Sequence, residues 1–218
     1  MTRLLVSVDV GGTLCHVDGM SVAAMLAAES PLAPEDARRI MREKLHNKPS
    51  ITSEVIADVC NALRIPTSIF PRTVKASAPK LLPGAVAALG YMSQQATLVT
   101  LSNVTCLEAG TDQMRELLSP WVVDHFPSWR TGHSKPDPAA FRHVAGACCT
   151  STADMVHIGD DWLCDIIGAR SAGVTAVWIS KGRSVPEPKR LVDRGVLVAA
   201  DLAAASQHIT DLAARRRS

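Results

Sequence analysis

The run Val6-Ser7-Val8-Asp9-Val10-Gly11-Gly12-Thr13-Leu14 constrains this chain more than any other stretch. Its apolar, largely β-branched start reads as a strand of a parallel sheet, covered on both faces. It ends on an acid, two glycines and a threonine. Open α/β sheets bind their ligands at the carboxyl ends of the strands, so Asp9 stands where chemistry is done. A Gly-Gly turn leaves its carboxylate uncovered, which suits a nucleophile better than a packing residue.

Further strands with polar ends follow. Ala96 to Leu101 is an apolar run ending at Ser102-Asn103, and Met155 to Ile158 is another, ending at Gly159-Asp160-Asp161. Val174 to Ile179 and Val196 to Val198 read as two more strands. Between them lie helical stretches: Pro83 to Gln95, Glu108 to Leu118, Asp137 to about Cys149, Asp161 to Ala172, and Leu202 to Arg217. Trp121-Val122-Val123 is a short apolar run, followed by an expected loop to Arg130. Strands alternating with helices of this length predict an α/β fold, a doubly wound, Rossmann-like parallel sheet.

Residues 16–81 break that rhythm. Met20 to Ala28 is apolar, Ala37, Ile40, Met41 and Leu45 recur at helical spacing, and so do Ile51, Val55, Ile56, Val59 and Leu63. Pro31, Pro34, Pro49, Pro66 and Pro71 cut the segment into short pieces, and no strand pattern shows. The expected organisation is a core of residues 1–15 and 82–218 with a small α-helical subdomain formed by residues 16–81.

Three strand ends thus bring Asp9 with Thr13, Ser102 with Asn103, and Asp160 with Asp165 to one sheet edge. Three carboxylates cannot crowd together without a cation, and Mg²⁺ is the natural oxygen-seeking counter-charge. The Ser102 hydroxyl and the Asn103 backbone N–H suit phosphate oxygens. Lys135, in Gly132-His133-Ser134-Lys135-Pro136-Asp137-Pro138, immediately precedes a helix start and could offset the charge of nucleophile and phosphate. Each residue alone has a plainer reading as a strand end, a helix cap or a surface charge. Their conjunction in this order points to an active site.

Composition excludes other classes. A net charge of +2 over 218 residues gives no bias toward nucleic acid or an anionic membrane surface. With 47% hydrophobic and 20% charged residues the chain reads as globular, and no apolar run reaches spanning length. Six cysteines without a Cys-x-x-Cys pair read as reduced thiols of a cytoplasmic protein. Arg215-Arg216-Arg217 reads as a solvated helix end. The sequence specifies no oligomeric state.

The order Asp-x-x-Gly-Thr-Leu, strand-Ser-Asn, Gly-x-x-Lys-Pro-Asp-Pro and Gly-Asp-x-x-x-x-Asp, followed by Gly168-Ala169-Arg170-Ser171-Ala172-Gly173, resembles the haloacid dehalogenase-like (HAD) hydrolase superfamily over nearly the whole chain. The helical segment matches the cap found after the first motif, in position and pattern. The resemblance implies a Mg²⁺-dependent phosphatase acting on a small phosphorylated substrate through an aspartyl-phosphate on Asp9. It implies that Ser102 and the Asn103 amide hold the phosphoryl group and that Lys135 clamps nucleophile and phosphate. Asp160 and the Gly11 carbonyl would be metal ligands beside Asp9, with Asp165 supporting the metal or the lysine.

One position departs from the pattern. Phosphatases of this family carry a second aspartate, their proton donor and water activator, where this chain has Gly11. The carbonyl survives that change and the proton shuttle does not. His16 is the first candidate replacement, since an imidazole can both give and take a proton, and His133 the second. Acyl or aryl phosphates, whose leaving groups need little protonation, are another way out. A dehalogenase would also lack the acid, but Asp160 and Asp165 argue against that branch. A phosphonate hydrolase would need a cap lysine among Lys44, Lys48, Lys75 and Lys80. The alternative class is a non-catalytic protein that binds a phosphorylated ligand or a partner.

Overall fold

The computed structural model describes residues 3–16, 18–71, 74, 78–108, 111–186 and 195–217. Its centre is the strand β1 (Leu4–Val8), in which every residue is buried. Leu4, Val6 and Val8 enter one apolar cluster and Leu5 enters another, so the period-2 alternation of a strand feeds two cores on opposite faces of the sheet. Ser7 is the polar exception among them. Its hydroxyl lies 2.7 Å from His157 Nδ1, which satisfies both groups away from water.

After β1 the chain forms a two-residue strand β2 (Cys15–His16) and three helices, α1 (Val22–Ala28), α2 (Pro34–Lys44) and α3 (Ser53–Leu63). Ser21 and Thr52 cap α1 and α3 by accepting from backbone N–H groups of their first turns. The helices bury Val22, Leu26, Met41, Leu45, Val59 and Leu63 in a third cluster of their own. The expected helical insertion is therefore present. Its base differs from expectation, because β2 pairs antiparallel with β3 (Lys80–Leu81) in a short ribbon. Two-residue strands are too short to show any periodicity, which is why the segment read as free of strands. Lys75 lies outside the described residues.

The chain then returns to the sheet through α4 (Ala85–Gln95), β4 (Ala96–Ser102), α5 (Thr111–Leu118), β5 (Val122–Pro127), the single turn α6 (Ser128–Thr131) and α7 (Pro138–Ala147). The expected loop after Val123 is in fact the rest of β5. Asp124 and His125 break the apolar pattern there, but His125 Nδ1 lies 2.9 Å from Thr100 Oγ1 on β4 and Asp124 pairs with Arg130. The remaining elements are β6 (Met155–Gly159), a π-helical turn (Trp162–Ile167), α8 (Gly168–Ser171), β7 (Thr175–Ile179), β8 (Val196–Ala199) and α9 (Leu202–Arg217). The expected solvated end of α9 is partly anchored, since Arg216 Nη1 lies 2.9 Å from Asp154.

The six long strands run parallel in the order β5-β4-β1-β6-β7-β8. The chain winds outward from β1 to β5, then crosses back to β6. The carboxyl ends of β4, β1 and β6 consequently lie side by side at the point where the winding reverses, the crevice in which such sheets bind ligands. No helix among the described residues is long and apolar enough to cross a membrane.

Candidate active site

A cavity of about 360 Å³ opens at this crevice. Asp9 and Gly11 line it from the end of β1, Ser102 and Asn103 from the end of β4, and Asp160, Asp161, Cys164 and Asp165 from the segment after β6, with Lys135 and Arg183 completing it. The strand ends thus bring together most of the residues that the sequence singles out.

Lys135 is the hub. It is 2% exposed, and its ammonium donates to Asp9 Oδ1 at 2.7 Å, Asp165 Oδ1 at 2.6 Å and the Leu101 carbonyl at 2.9 Å. Burial works against its charge, but the carboxylates of Asp165 and Asp9 outweigh burial and raise its pKa, so it stays protonated. The two acids diverge. Burial, with the neighbouring charges of Asp165 and Asp160, raises Asp9 above the usual carboxylate range despite Lys135. Asp165 is held below that range, because Lys135 and His157 more than offset its burial. One ammonium between two buried carboxylates favours the acid with more hydrogen-bond donors, and that is Asp165.

Those donors fill Asp165. Oδ1 faces Lys135 and, at 3.2 Å, His157 Nε2, while Oδ2 accepts from the Asp161 N–H at 2.9 Å. Burial lowers the pKa of His157. Its Nε2 faces a carboxylate, so the proton sits there, leaving Nδ1 to accept from the Ser7 hydroxyl. Gly159 makes this possible, since a Cβ there would lie 2.3 Å from Asp165 Cγ. Gly159→Ala is therefore expected to displace Asp165 and to cost about 1–3 kcal/mol in a urea-unfolding measurement. An unshifted midpoint would mean that this close approach is easily relieved.

The other expected residues are placed as follows. Ser102 lines the cavity. The Asn103 side chain is engaged, donating to the Lys135 carbonyl at 2.7 Å and accepting from the Lys135 N–H at 2.8 Å, which orients the loop carrying the lysine. Thr13 is buried and does not line the cavity; its hydroxyl donates to Asp160 Oδ1 at 3.3 Å. His16 lies outside the cavity lining, 66% exposed, with Nε2 3.5 Å from Asp18. His133 is also outside the lining and lies 3.8 Å from Asp137. Lys44 pairs with Asp58 and Lys80 with Asp18, both on the surface.

Sequence reading missed three residues. His157 sits within an apolar strand, where a lone histidine carries no signal. Lys181 and Arg183 lie on the turn after β7, with Lys181 Nζ 2.9 Å from Asp160 Oδ2. Basic residues following a strand end were the available clue.

The donor set suits a hard divalent cation. Carboxylate oxygens of Asp9, Asp160 and Asp165 come within 4.8 Å of one another, and Mg²⁺ prefers oxygen ligands. Asp165 is the most enclosed of the three, with both oxygens hydrogen-bonded inside the protein, whereas Asp9 and Asp160 face the cavity with greater exposure, Asp160 held by Thr13 and the surface Lys181.

A family model described as HAD-hydrolase-like matches residues 133–205. The phosphoserine phosphatase of Thermus thermophilus is 33% identical over 85 residues, 37% of this chain and 34% of that protein. The match therefore spans about a third of the length of that relative. Among solved structures, a 2-haloacid dehalogenase from Pseudomonas syringae pv. Tomato superposes with a TM-score of 0.62 at 19% identity, covering 100% of both chains. A HAD-hydrolase from Bacillus subtilis bound to magnesium superposes with a TM-score of 0.61 at 18% identity, covering 96% of this chain and 99% of the other. At such identities the likeness is one of fold.

Proposed function

Because the chain has the fold of the haloacid dehalogenase-like hydrolase superfamily, we propose that it is a Mg²⁺-dependent phosphatase acting through an aspartyl-phosphate on Asp9. The observation that carries this reading is the buried Lys135 bonded to Asp9 at 2.7 Å in a cavity that also holds Ser102, Asn103 and Asp160. In this reading residues 1–15 and 82–218 are the catalytic core and residues 16–81 the cap, which supplies the contacts to the leaving group.

The Asp9 carboxylate attacks phosphorus, the bond from phosphorus to the leaving oxygen breaks, and water later hydrolyses the acyl phosphate to regenerate Asp9. The Ser102 hydroxyl and the Asn103 N–H hold the phosphoryl oxygens. Lys135 stays charged and balances the nucleophile as negative charge accumulates. Asp165 fixes Lys135, and His157 fixes Asp165. Asp9, Asp160 and the Gly11 carbonyl would hold the ion, whose chemistry is to neutralise phosphate charge. Lys181 pairs with Asp160 at 2.9 Å and offsets part of its charge.

The leaving group needs a proton, and no acid stands at Gly11. Substrates with good leaving groups, acyl or aryl phosphates, are therefore the best hydrolysed. His16 would serve as a substitute acid only by leaving Asp18, and His16→Ala tests that through the pH profile. Gly11 also supports a second reading, a non-catalytic protein binding a phosphorylated ligand.

A Mg²⁺-dependent screen over aryl, acyl and alkyl phosphates separates the two. Asp9→Asn, which removes the nucleophile and keeps the shape, is expected to reduce turnover by about 10³-fold or more. Turnover preserved in that variant, or absent from wild type with every phosphate, overturns the catalytic reading.

A further inference from the structure

Charge around the cavity is unevenly matched. Lys135 is shared between Asp9 and Asp165, and Lys181 is paired with Asp160. Arg183 is different. Its Nε donates to the Ser180 carbonyl at 2.9 Å, and Nη2 donates to the carbonyls of Asp160 at 2.7 Å and Ile179 at 3.1 Å. The guanidinium carbon lies 5.4 Å from the centroid of the Trp178 ring. Carbonyls and an indole orient a guanidinium without cancelling its charge. The Asp160 carboxylate lies beyond hydrogen-bond reach at 3.9 Å and is already engaged by Lys181. Among the described residues no hydrogen bond engages Nη1, so two of the five donors of the fork stay available.

We propose that Arg183 binds a carboxylate on the leaving part of the substrate, which makes the substrate class phosphate esters whose leaving group carries a carboxylate. This rests on the phosphatase reading of the same cavity. Three features carry it. The side chain lines the cavity, half exposed at its mouth, while Lys135 lies at the floor. The guanidinium is already fixed, so little conformational freedom is lost when it takes an anion. The cavity is also small, and four aspartates line it; a singly charged carboxylate meets less repulsion there than a second phosphate dianion. A guanidinium is the natural partner for such a group.

The test compares glycerate 3-phosphate with glycerol 3-phosphate, which differ by a carboxylate in place of a hydroxymethyl group. With Mg²⁺ present, wild type is expected to favour the first by about tenfold or more in kcat/KM, the scale of one charge-assisted hydrogen bond. Arg183→Met is expected to bring that ratio near one through KM, and Arg183→Lys to recover part of it. A loss of structure would lower both substrates alike and leave the ratio standing. A ratio that is near one in wild type, or that survives in Arg183→Met, overturns the assignment. If wild type hydrolyses neither of these alkyl esters, the phosphatase reading is judged by the aryl and acyl phosphates, and it fails only if those are not turned over either. Calorimetric binding of the same two compounds then decides the role of Arg183: equal affinities overturn it, and a preference lost in Arg183→Met supports it.

Discussion

Lys135→Met is expected to destabilise the protein by about 3–5 kcal/mol at pH 8, the cost of leaving buried charge without its partner. The lysine is the only ammonium within hydrogen-bond distance of Asp9 and Asp165 among the described residues. Methionine fills the volume of the stem but answers neither carboxylate. The deficit should also depend on pH, because Asp165 reverses its sign between the two proteins while Asp9, already raised in wild type, keeps its own. In wild type the pKa of Asp165 is depressed in the folded state. Its contribution is therefore complete above the unfolded value near 3.8 and is lost only as pH falls below it. Without Lys135, burial dominates both acids and raises their folded pKa values above the unfolded ones. The folded variant then holds more protons than the unfolded chain between those values, so its stability falls as pH rises. Urea unfolding at pH 5 and pH 8 checks this: the gap between wild type and variant should be clearly smaller at pH 5. A gap independent of pH would show that the carboxylates are relieved by something other than Lys135, such as movement into solvent. Turnover should be lost at both pH values.

The same network shows what could be read from the chain alone. Asp9, Ser102, Lys135 and Asp160 were legible because each follows an apolar strand or precedes a helix, and strand ends of a parallel sheet converge. The roles within the network were not. Asn103 spends its side chain on the Lys135 backbone, Thr13 spends its hydroxyl on Asp160, and Asp165 has no oxygen to spare. Those assignments depend on which atoms meet across 32, 147 and 30 residues of sequence, which local pattern does not encode. His157 illustrates the limit best. Within the strand it reads as an anomaly, and only the fold shows Asp165 beyond one ring nitrogen and Ser7 beyond the other. The extra length of β5 and the ribbon at the base of the insertion were hidden for a related reason: their pairing partners, not their own residues, make them strands.

Gly11→Asp is expected to raise turnover of alkyl phosphates by about 10²–10⁴-fold, the usual worth of a positioned general acid and base. The site has room for it. Gly11 lines the cavity, its φ is not positive, and a Cβ built on it meets nothing within 4 Å. Gly12 next to it could not be changed so, since its φ is +79° and a Cβ would approach Asp160 Oδ2 to 3.1 Å. The added side chain therefore starts in open space at the cavity lining, with no backbone strain and no Cβ contact to relieve. Its benefit should scale with the need for a proton. An alkoxide is a poor leaving group and gains most; a nitrophenolate or carboxylate leaves unaided and gains little. Plotting log kcat/KM against leaving-group pKa should accordingly give a steep negative slope for wild type and a shallow one for Gly11→Asp. Equal gains across the series would mean that the aspartate acts through charge or metal binding instead. No gain for any alkyl phosphate, in a variant that still folds and still hydrolyses aryl phosphates, would show that the proton already comes from another group, and His16 and His133 would then be the residues to replace.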